Sequence, residues 1–197
     1  MRELITAIKM TLVLTILTGI IYPIVVFGLA QLIFPWQANG SLEPRGNQIV
    51  GSAIIGQNFA APRYFHPRPS AAGNGYDPTQ SGGTNLGPTN SALIKAVSAH
   101  LQQVLKENPG VTANQVPVDL VTSSGSGLDP EISPAAAELQ VARVAKARNL
   151  APAQVEDLVA ANTRPRWIGL FGEPGVNVFE LNLALDRIAG GGAPAAH

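Results

Sequence analysis

The sequence contains no cysteine among its 197 residues and only three histidines, His66, His100 and His197. A thiol nucleophile, a disulfide and a thiolate metal site are therefore excluded, and a domain outside the cytoplasm would depend on its hydrophobic core. No two histidines have the spacing of metal ligands, and neither Ser124 nor Ser126 lies in a Gly-x-Ser-x-Gly motif. We expect neither a metal site nor a hydrolase.

Charge is also scarce, because charged residues make up 13% of the chain and the formal net charge is zero. Removing Arg2 and Lys9 from the 13 basic residues, and Glu3 from the 13 acidic ones, leaves 11 and 12 for the rest of the chain. This balance argues against nucleic acid or an anionic lipid surface as the partner.

Two motifs of ATP-hydrolysing proteins are missing as well. The chain has neither a Gly-x-x-x-x-Gly-Lys-[Ser/Thr] phosphate loop nor an Asp-Lys-Thr-Gly sequence that could accept a phosphoryl group. We therefore do not expect this chain to hydrolyse ATP by itself.

One long hydrophobic run is present, since residues 10–34 contain no charged side chain. As a helix the run would be about 37 Å long, against a bilayer core about 30 Å thick. It predicts a transmembrane helix, because backbone in lipid must satisfy its own hydrogen bonds. A signal peptide cleaved near 28–30 is the alternative, but apolar residues continue through 32–34.

The basic residues Arg2 and Lys9 precede the hydrophobic run, and basic flanks tend to stay in the cytoplasm. We therefore predict a cytoplasmic tail over residues 1–9 and a single pass of the cell inner membrane over 10–34. An extracytoplasmic domain is expected over 35–189, followed by a flexible tail over 190–197.

Small residues and a proline recur along the predicted span at Thr11, Thr15, Gly19 and Pro23. A row of small side chains lets a second helix approach closely in lipid. We predict that this row contacts a partner helix, and that Pro23 removes a backbone hydrogen bond and kinks the helix.

The domain after the span is predicted to be α+β, with a small sheet and about four helices. Asn90 and Ser133 are expected to cap helices over 91–107 and 134–148. Further helices are expected from Pro152 to about residue 161 and from a capping box at 177–180. Short strands are expected over 49–55, 118–122 and 167–171, and 176–178 is an alternative strand end.

The segment 56–88 is rich in glycine and proline, and a structureless loop of this length in a compact domain is usually functional or disordered. Its aromatic residues favour an ordered loop.

Several motifs, in order, resemble one family, the C subunit of the bacterial potassium-transporting Kdp ATPase. They are GSAIIGQ at 51–57, YFHPRPSA at 64–71, SGGTNLGPTN at 81–90, DLVTSSGSGLDP at 119–130, ISPAA at 132–136, and 176–186 from VNV through NLALD. With the amino-terminal span, the resemblance covers nearly the whole chain.

The resemblance implies a non-catalytic accessory subunit of a complex that takes up potassium, the transported ion. Its implied partners are a channel-like potassium-binding subunit, a P-type ATPase subunit and a small fourth membrane subunit. The implied role is assembly, together with a chaperone-like increase in the ATP affinity of the ATPase subunit. A stand-alone, membrane-anchored periplasmic binding module is the alternative.

The family's ATP role has been tied to a Ser-Gly-Gly stretch, which here is Ser81, Gly82 and Gly83. Gln80 and Thr84 depart from the leucine and glutamine of that motif. Glycine-rich backbone is able to bind phosphate, but ATP lies on the other side of the membrane from the predicted position of this loop. An indirect effect through the membrane helices fits better, and a simple tight turn is the remaining interpretation.

We also predict that the 64–90 loops contact the outer face of the channel-like subunit. Arg68 and Asp77 could instead pair with each other inside the domain. Aromatic, charged and polar side chains would anchor the contact: Tyr64, Phe65, His66, Arg68, Tyr76, Asp77 and Asn85.

Overall fold

A computed structural model describes residues 1–188, so the tail predicted over 190–197 lies outside the described residues. The chain divides into two compact units, Met1–Leu42 and a second unit that begins at Glu43. The predicted α+β class is confirmed, because the chain has a long apolar amino-terminal helix followed by further helices and small sheets.

The first unit is dominated by one continuous helix, Arg2–Ile33, of 32 residues. It consists of α1 (Arg2–Ile16), a π-helical turn (Leu17–Ile21) and α2 (Tyr22–Ile33). Its length of about 48 Å exceeds the thickness of a bilayer core, about 30 Å. Among residues 1–188 it is the one helix long and apolar enough to cross a membrane. It also includes most of the cytoplasmic tail predicted over residues 1–9.

The π-helical turn lies immediately before Pro23. There the amide of Tyr22 donates to the carbonyl of Leu17, five residues earlier. Proline has no amide hydrogen to donate to the carbonyl four residues back, and a wider turn is one way in which a helix accommodates it. The Thr18 hydroxyl donates to the Leu14 carbonyl at 2.7 Å and adds a side-chain bond in the same region.

After the short helix α3 (Pro35–Ala38), strands β1 (Leu42–Arg45) and β2 (Gln48–Ser52) form a two-stranded sheet. Strand β2 overlaps the strand predicted over 49–55. Gly51 is required within it, because a Cβ at this position would lie 2.5 Å from the ring of Phe179.

Four longer helices follow: α4 (Ser91–Glu107), α5 (Pro134–Arg148), α6 (Pro152–Ala161) and α7 (Val178–Ile188). The Asn90 side chain accepts from the amide of Ala92, and the Ser133 hydroxyl accepts from the amide of Ala136, so both predicted caps are confirmed.

The second sheet contains β3 (Glu131–Ile132), β4 (Thr163–Arg164) and β5 (Gly175–Asn177) in the order β3-β5-β4, with both pairings antiparallel. Asn177 ends β5 and its side chain accepts from the amide of Glu180 in the first turn of α7. The strand end and the predicted Asn177 cap are therefore both confirmed, whereas the Glu180 carboxylate of the predicted capping box accepts from Arg164.

The core lies between this sheet, the helices α5, α6 and α7, and part of the 58–66 segment. Its fully buried members include Phe65, Val144, Val155, Val176, Phe179, Leu181 and Leu185. Burying each of these side chains contributes about 1.5–3 kcal/mol to the stability of the folded state. The hydrophobic core can therefore stabilise this domain without disulfides.

The strand predicted over 118–122 is wrong. Val118–Leu120 forms a 3₁₀ turn, in which Leu120 is buried while Val118 is exposed. The Asp119 carboxylate accepts from the amide and the hydroxyl of Ser133, at 2.6 and 3.2 Å. Apolar alternation suggested a strand, but this contact between Asp119 and the start of α5 requires a turn.

The strand predicted over 167–171 is also wrong. Trp167 and Phe171 form an isolated bridge around a tight turn, with positive φ at Ile168 and Gly169. Three residues separate the bridged pair, and positive φ at two of them is typical of a tight hairpin turn. The apolar residues that suggested a buried strand are exposed at its tip.

Candidate functional site

The long segment between β2 and α4 forms no helix or strand over residues 53–90, yet side chains of α5 and α7 bind its backbone. Asn182 accepts from the Phe65 amide at 2.9 Å and donates to the Phe65 carbonyl at 3.0 Å. Gln140 accepts from the His66 amide at 2.8 Å and donates to the His66 carbonyl at 3.1 Å. Two buried amides thus replace the partner strand that this backbone lacks.

Tyr64 and Phe65 belong to the domain core, with exposed fractions of 2% and 0%. The Tyr64 hydroxyl donates to Asp186 at 3.3 Å, and the guanidinium of Arg148 lies 4.9 Å from its ring centroid. Burial and the negative charge of Asp186 raise the pKa of Tyr64. These two residues are therefore not surface anchors, and the prediction that they contact a partner has to be corrected.

Asp186 is a buried carboxylate with two cationic partners. Arg148 donates to it at 2.8 Å, and Arg45 lies 3.7 Å away. Arg148 also donates to the carbonyl of Arg63 at 2.6 Å. A buried charge is tolerated when it is paired and hydrogen-bonded, and here the pairing connects β1, α5, α7 and the loop.

His66 lies between α4 and α5. Its Nδ1 is 3.1 Å from Glu107, and its Nε2 is 3.4 Å from the guanidinium of Arg143 and 3.2 Å from the carbonyl of Ala61. Burial and the positive charge of Arg143 lower the pKa of His66. Nδ1 therefore faces the Glu107 carboxylate, while Nε2 faces both Arg143 and the Ala61 carbonyl.

Arg68 does not pair with Asp77. Its guanidinium donates to Asp129 at 2.9 Å, which fixes the loop to the turn before β3. The Asp77 carboxylate instead accepts from Thr79 and Gln80, and these bonds lower its pKa. The sequence alternative of an Arg68–Asp77 pair is thus wrong, because both side chains have nearer partners.

Tyr76 and Ser70 close the loop on itself. Tyr76 has a positive φ of 57°, and its hydroxyl donates to the Arg68 carbonyl. Burial raises the pKa of this hydroxyl. The Ser70 hydroxyl donates to the Gly127 carbonyl at 2.6 Å and accepts from the Tyr76 amide at 2.8 Å. Asn85, further along, is exposed and has a positive φ of 53°.

The Ser-Gly-Gly stretch runs beside the 124–127 turn. The amide of Gly82 donates to the carbonyl of Ser126 at 2.8 Å, and the hydroxyl of Ser81 donates to the same carbonyl at 3.0 Å. A Cβ at Gly83 would lie 3.1 Å from the Gly125 carbonyl. The absence of a side chain at Gly83 therefore allows the two chain segments to pack closely.

The four predicted membrane-interface residues all lie on the long helix and are exposed within this chain. A Cβ at Gly19 would meet no atom of the chain within 4 Å. In an α-helix, a residue four positions further on is rotated by about 40° around the helix axis, so Pro23 would be about 120° from Thr11. The intervening π turn contains an extra residue per turn, and it therefore reduces this rotation.

The residues that fix the loop were not found by sequence reasoning. Asn182 and Gln140 occupy buried helix positions, where polar side chains are uncommon. These loop-binding residues could have been found in the sequence as amide side chains among the apolar residues of a helix. The acidic Asp186 in α7 was a signal of the same kind. Among residues 1–188 no group of three histidine or acidic side chains could hold a metal ion.

Comparisons with known proteins show the family to which the chain belongs. Residues 4–187 match a family model described as "KdpC: K+-transporting ATPase, c chain". The chain is 55% identical over 190 residues to the potassium-transporting ATPase KdpC subunit of Gemmatimonas aurantiaca, covering 96% of this chain and 94% of that one. It is 54% identical over 187 residues to that of Mycobacterium tuberculosis, covering 95% and 99%. These matches extend over both units, and the chain belongs to the KdpC family, the c chain of K+-transporting ATPases.

Proposed function

We propose that the chain is a non-catalytic accessory subunit of an ATP-driven, high-affinity potassium uptake complex. Its partners would be a channel-like potassium-binding subunit, a P-type ATPase subunit and a small fourth membrane subunit. It stabilises the assembled complex and raises the ATP affinity of the ATPase subunit in a chaperone-like way.

The observation that carries this proposal is the match to the KdpC family over residues 4–187, which includes both the long helix and the folded domain. Two further features support it. The sequence lacks a phosphate loop and a phosphoryl-accepting Asp-Lys-Thr-Gly motif, and the 53–90 loop is fixed by Asn182 and Gln140. A fixed loop is a suitable surface for a partner because little ordering entropy is lost on binding.

The amino terminus is cytoplasmic in this proposal, and the folded domain is on the outer side of the cell inner membrane. Arg2 and Lys9 at the start of the helix support this orientation through the positive-inside rule. The absence of cysteine is compatible with either side of the membrane, so the orientation depends on the flanking charges.

The chain acts on ATP affinity indirectly in this proposal, through its contacts with the other subunits. The hydroxyl of Ser81 and the amide of Gly82 already donate to the carbonyl of Ser126. A phosphate would have to displace these bonds. Potassium is the transported ion of the complex, and the chain needs no cofactor of its own.

Co-purification tests the proposal against the stand-alone binding module. The tagged chain is expressed with the other subunits and, separately, without them. We expect the tagged chain to retain all partner subunits through size-exclusion chromatography in detergent. A monodisperse, solitary chain that ignores the co-expressed subunits would contradict the proposal.

A further inference from the structure

A cavity of about 210 Å³ lies in the second unit, between the 58–76 loop and the last turns of α4. It is smaller than the roughly 300–1,000 Å³ that is usual for small-molecule pockets, and it is large enough for a single side chain. Its apolar wall consists of Phe59, Pro67, Pro69, Val104 and Leu120. Its polar lining includes His66, Gln103, Glu107 and Asn108.

The charge in this cavity is negative. Glu107 is the one acidic residue that lines it, and no lysine or arginine does. The Nδ1 of His66 lies 3.1 Å from Glu107, and burial and Arg143 lower the pKa of His66. Gln103 donates to the same carboxylate at 3.0 Å. Arg143, which attracts Glu107, contacts Nε2 of His66 and does not line the cavity, so Glu107 is the one carboxylate that the described lining presents to an occupant.

Two further features favour a cation at this position. Asn108, which also lines the cavity, is 6% exposed, and its Oδ1 has no hydrogen-bond partner while its Nδ2 donates to Val104. An acceptor that is buried without a donor is costly. The cavity also lies at the carboxyl end of α4, where the helix dipole and the last carbonyls favour positive charge.

We propose that this cavity binds a primary ammonium group on a short aliphatic chain, with Glu107 as its counter-ion. The aliphatic part would contact the Phe59 and Pro69 side of the cavity, and the ammonium group would lie beside Glu107 and Asn108. The same chemistry is available from a lysine side chain of a neighbouring subunit or from a free alkylamine.

Binding is tested on the full chain in detergent with n-butylammonium and, as a neutral probe of the same heavy-atom count, 1-butanol. Imidazole NMR signals report occupancy, because His66 and His100 both line the cavity. We expect n-butylammonium to shift these signals at about tenfold lower concentration than 1-butanol, as one charge-assisted hydrogen bond would give. Equal effects of the two probes, or no shift with n-butylammonium, would overturn the proposal.

The variant Glu107→Gln should remove the preference for the amine, and Glu138→Gln is the matched control because Glu138 is exposed and outside the cavity. A preference that persists in Glu107→Gln would also overturn the proposal. The comparison of the two probes on the unmodified chain remains decisive if the variant folds poorly.

The source of the ammonium group is tested in the purified complex. A carbodiimide that joins Glu107 to a lysine of another subunit, with n-butylammonium binding lost on assembly, would identify a subunit side chain as the occupant. Retained n-butylammonium binding without such a cross-link would identify a free amine. Either result is compatible with the ammonium site and separate from the co-purification test of the accessory role.

Discussion

At the residue scale, two buried amide side chains, Asn182 and Gln140, bind the backbone of the 53–90 loop. Asn182 is fully buried and makes both of its hydrogen bonds to the backbone of Phe65. It gives an irregular segment the backbone pairing that a strand would otherwise provide.

We therefore predict that Asn182→Leu destabilises the protein by about 2–5 kcal/mol, since it leaves a buried amide and a buried carbonyl of Phe65 unpaired. The free energy of unfolding is measured by urea titration in detergent, followed by circular dichroism. Asn114→Leu, at an exposed position, is the control and should change it by less than about 0.5 kcal/mol. Equal effects of the two variants would show that the Phe65 contact contributes little.

His66 gives the domain a pH dependence. In the folded protein its pKa is lowered from 6.5 by burial and by Arg143. At pH values between the folded and the unfolded pKa, the unfolded chain therefore binds a proton more readily than the folded chain does. The stabilisation from keeping His66 neutral is complete above the unfolded value and is lost as pH falls from about 6.5 through the folded value.

The unfolding free energy of the wild type should therefore fall more steeply below about pH 6.5 than that of His66→Gln, which has no titrating group at this position. Urea titrations of both proteins at a series of pH values measure the difference. Parallel pH profiles would contradict a lowered pKa at His66.

At the element scale, the helices were predictable, whereas two of the predicted short strands were wrong. Helix α4 begins after Asn90 and ends at Glu107, as predicted, and α5 begins at the proline after Ser133. Capping chemistry is local, so the sequence contains it. The strand prediction over 118–122 failed because the bond from Ser133 to Asp119 comes from a distant element.

The site shows the same division between local and distant information. Aromatic residues suggested that the 56–88 loop is ordered, and its backbone is hydrogen-bonded to α5 and α7. That Tyr64 and Phe65 point into the core depends on Asn182 and Asp186, more than 110 residues away. No local pattern specifies such contacts, so buried anchors resembled surface anchors in the sequence.

The long helix carries the element-scale prediction about assembly. Gly19 has open space around it within this chain, so Gly19→Leu should leave the isolated chain intact and weaken co-purification with the partner subunits by crowding their helix. Gly28→Leu makes the same change at a position that is also open but lies off the Thr11–Thr15–Gly19 row. Equal recovery of partner subunits with both variants would argue against this face.

At the scale of the whole molecule, we propose that the domain lies outside the cytoplasm. Because the chain has no cysteine, single-cysteine variants report topology without background. A membrane-impermeant maleimide applied to intact spheroplasts should label Thr89→Cys, which is in the exposed loop before α4. Thr6→Cys should be labelled only after lysis, and the reverse pattern would place the domain in the cytoplasm.

The accessory role is tested most directly by measuring the apparent ATP affinity of the potassium-stimulated ATPase with and without this chain. A complex prepared without the chain is titrated with the purified chain. We expect a lower KM for ATP as the chain is added, together with a higher yield of assembled complex. An unchanged KM and an unchanged yield would contradict it.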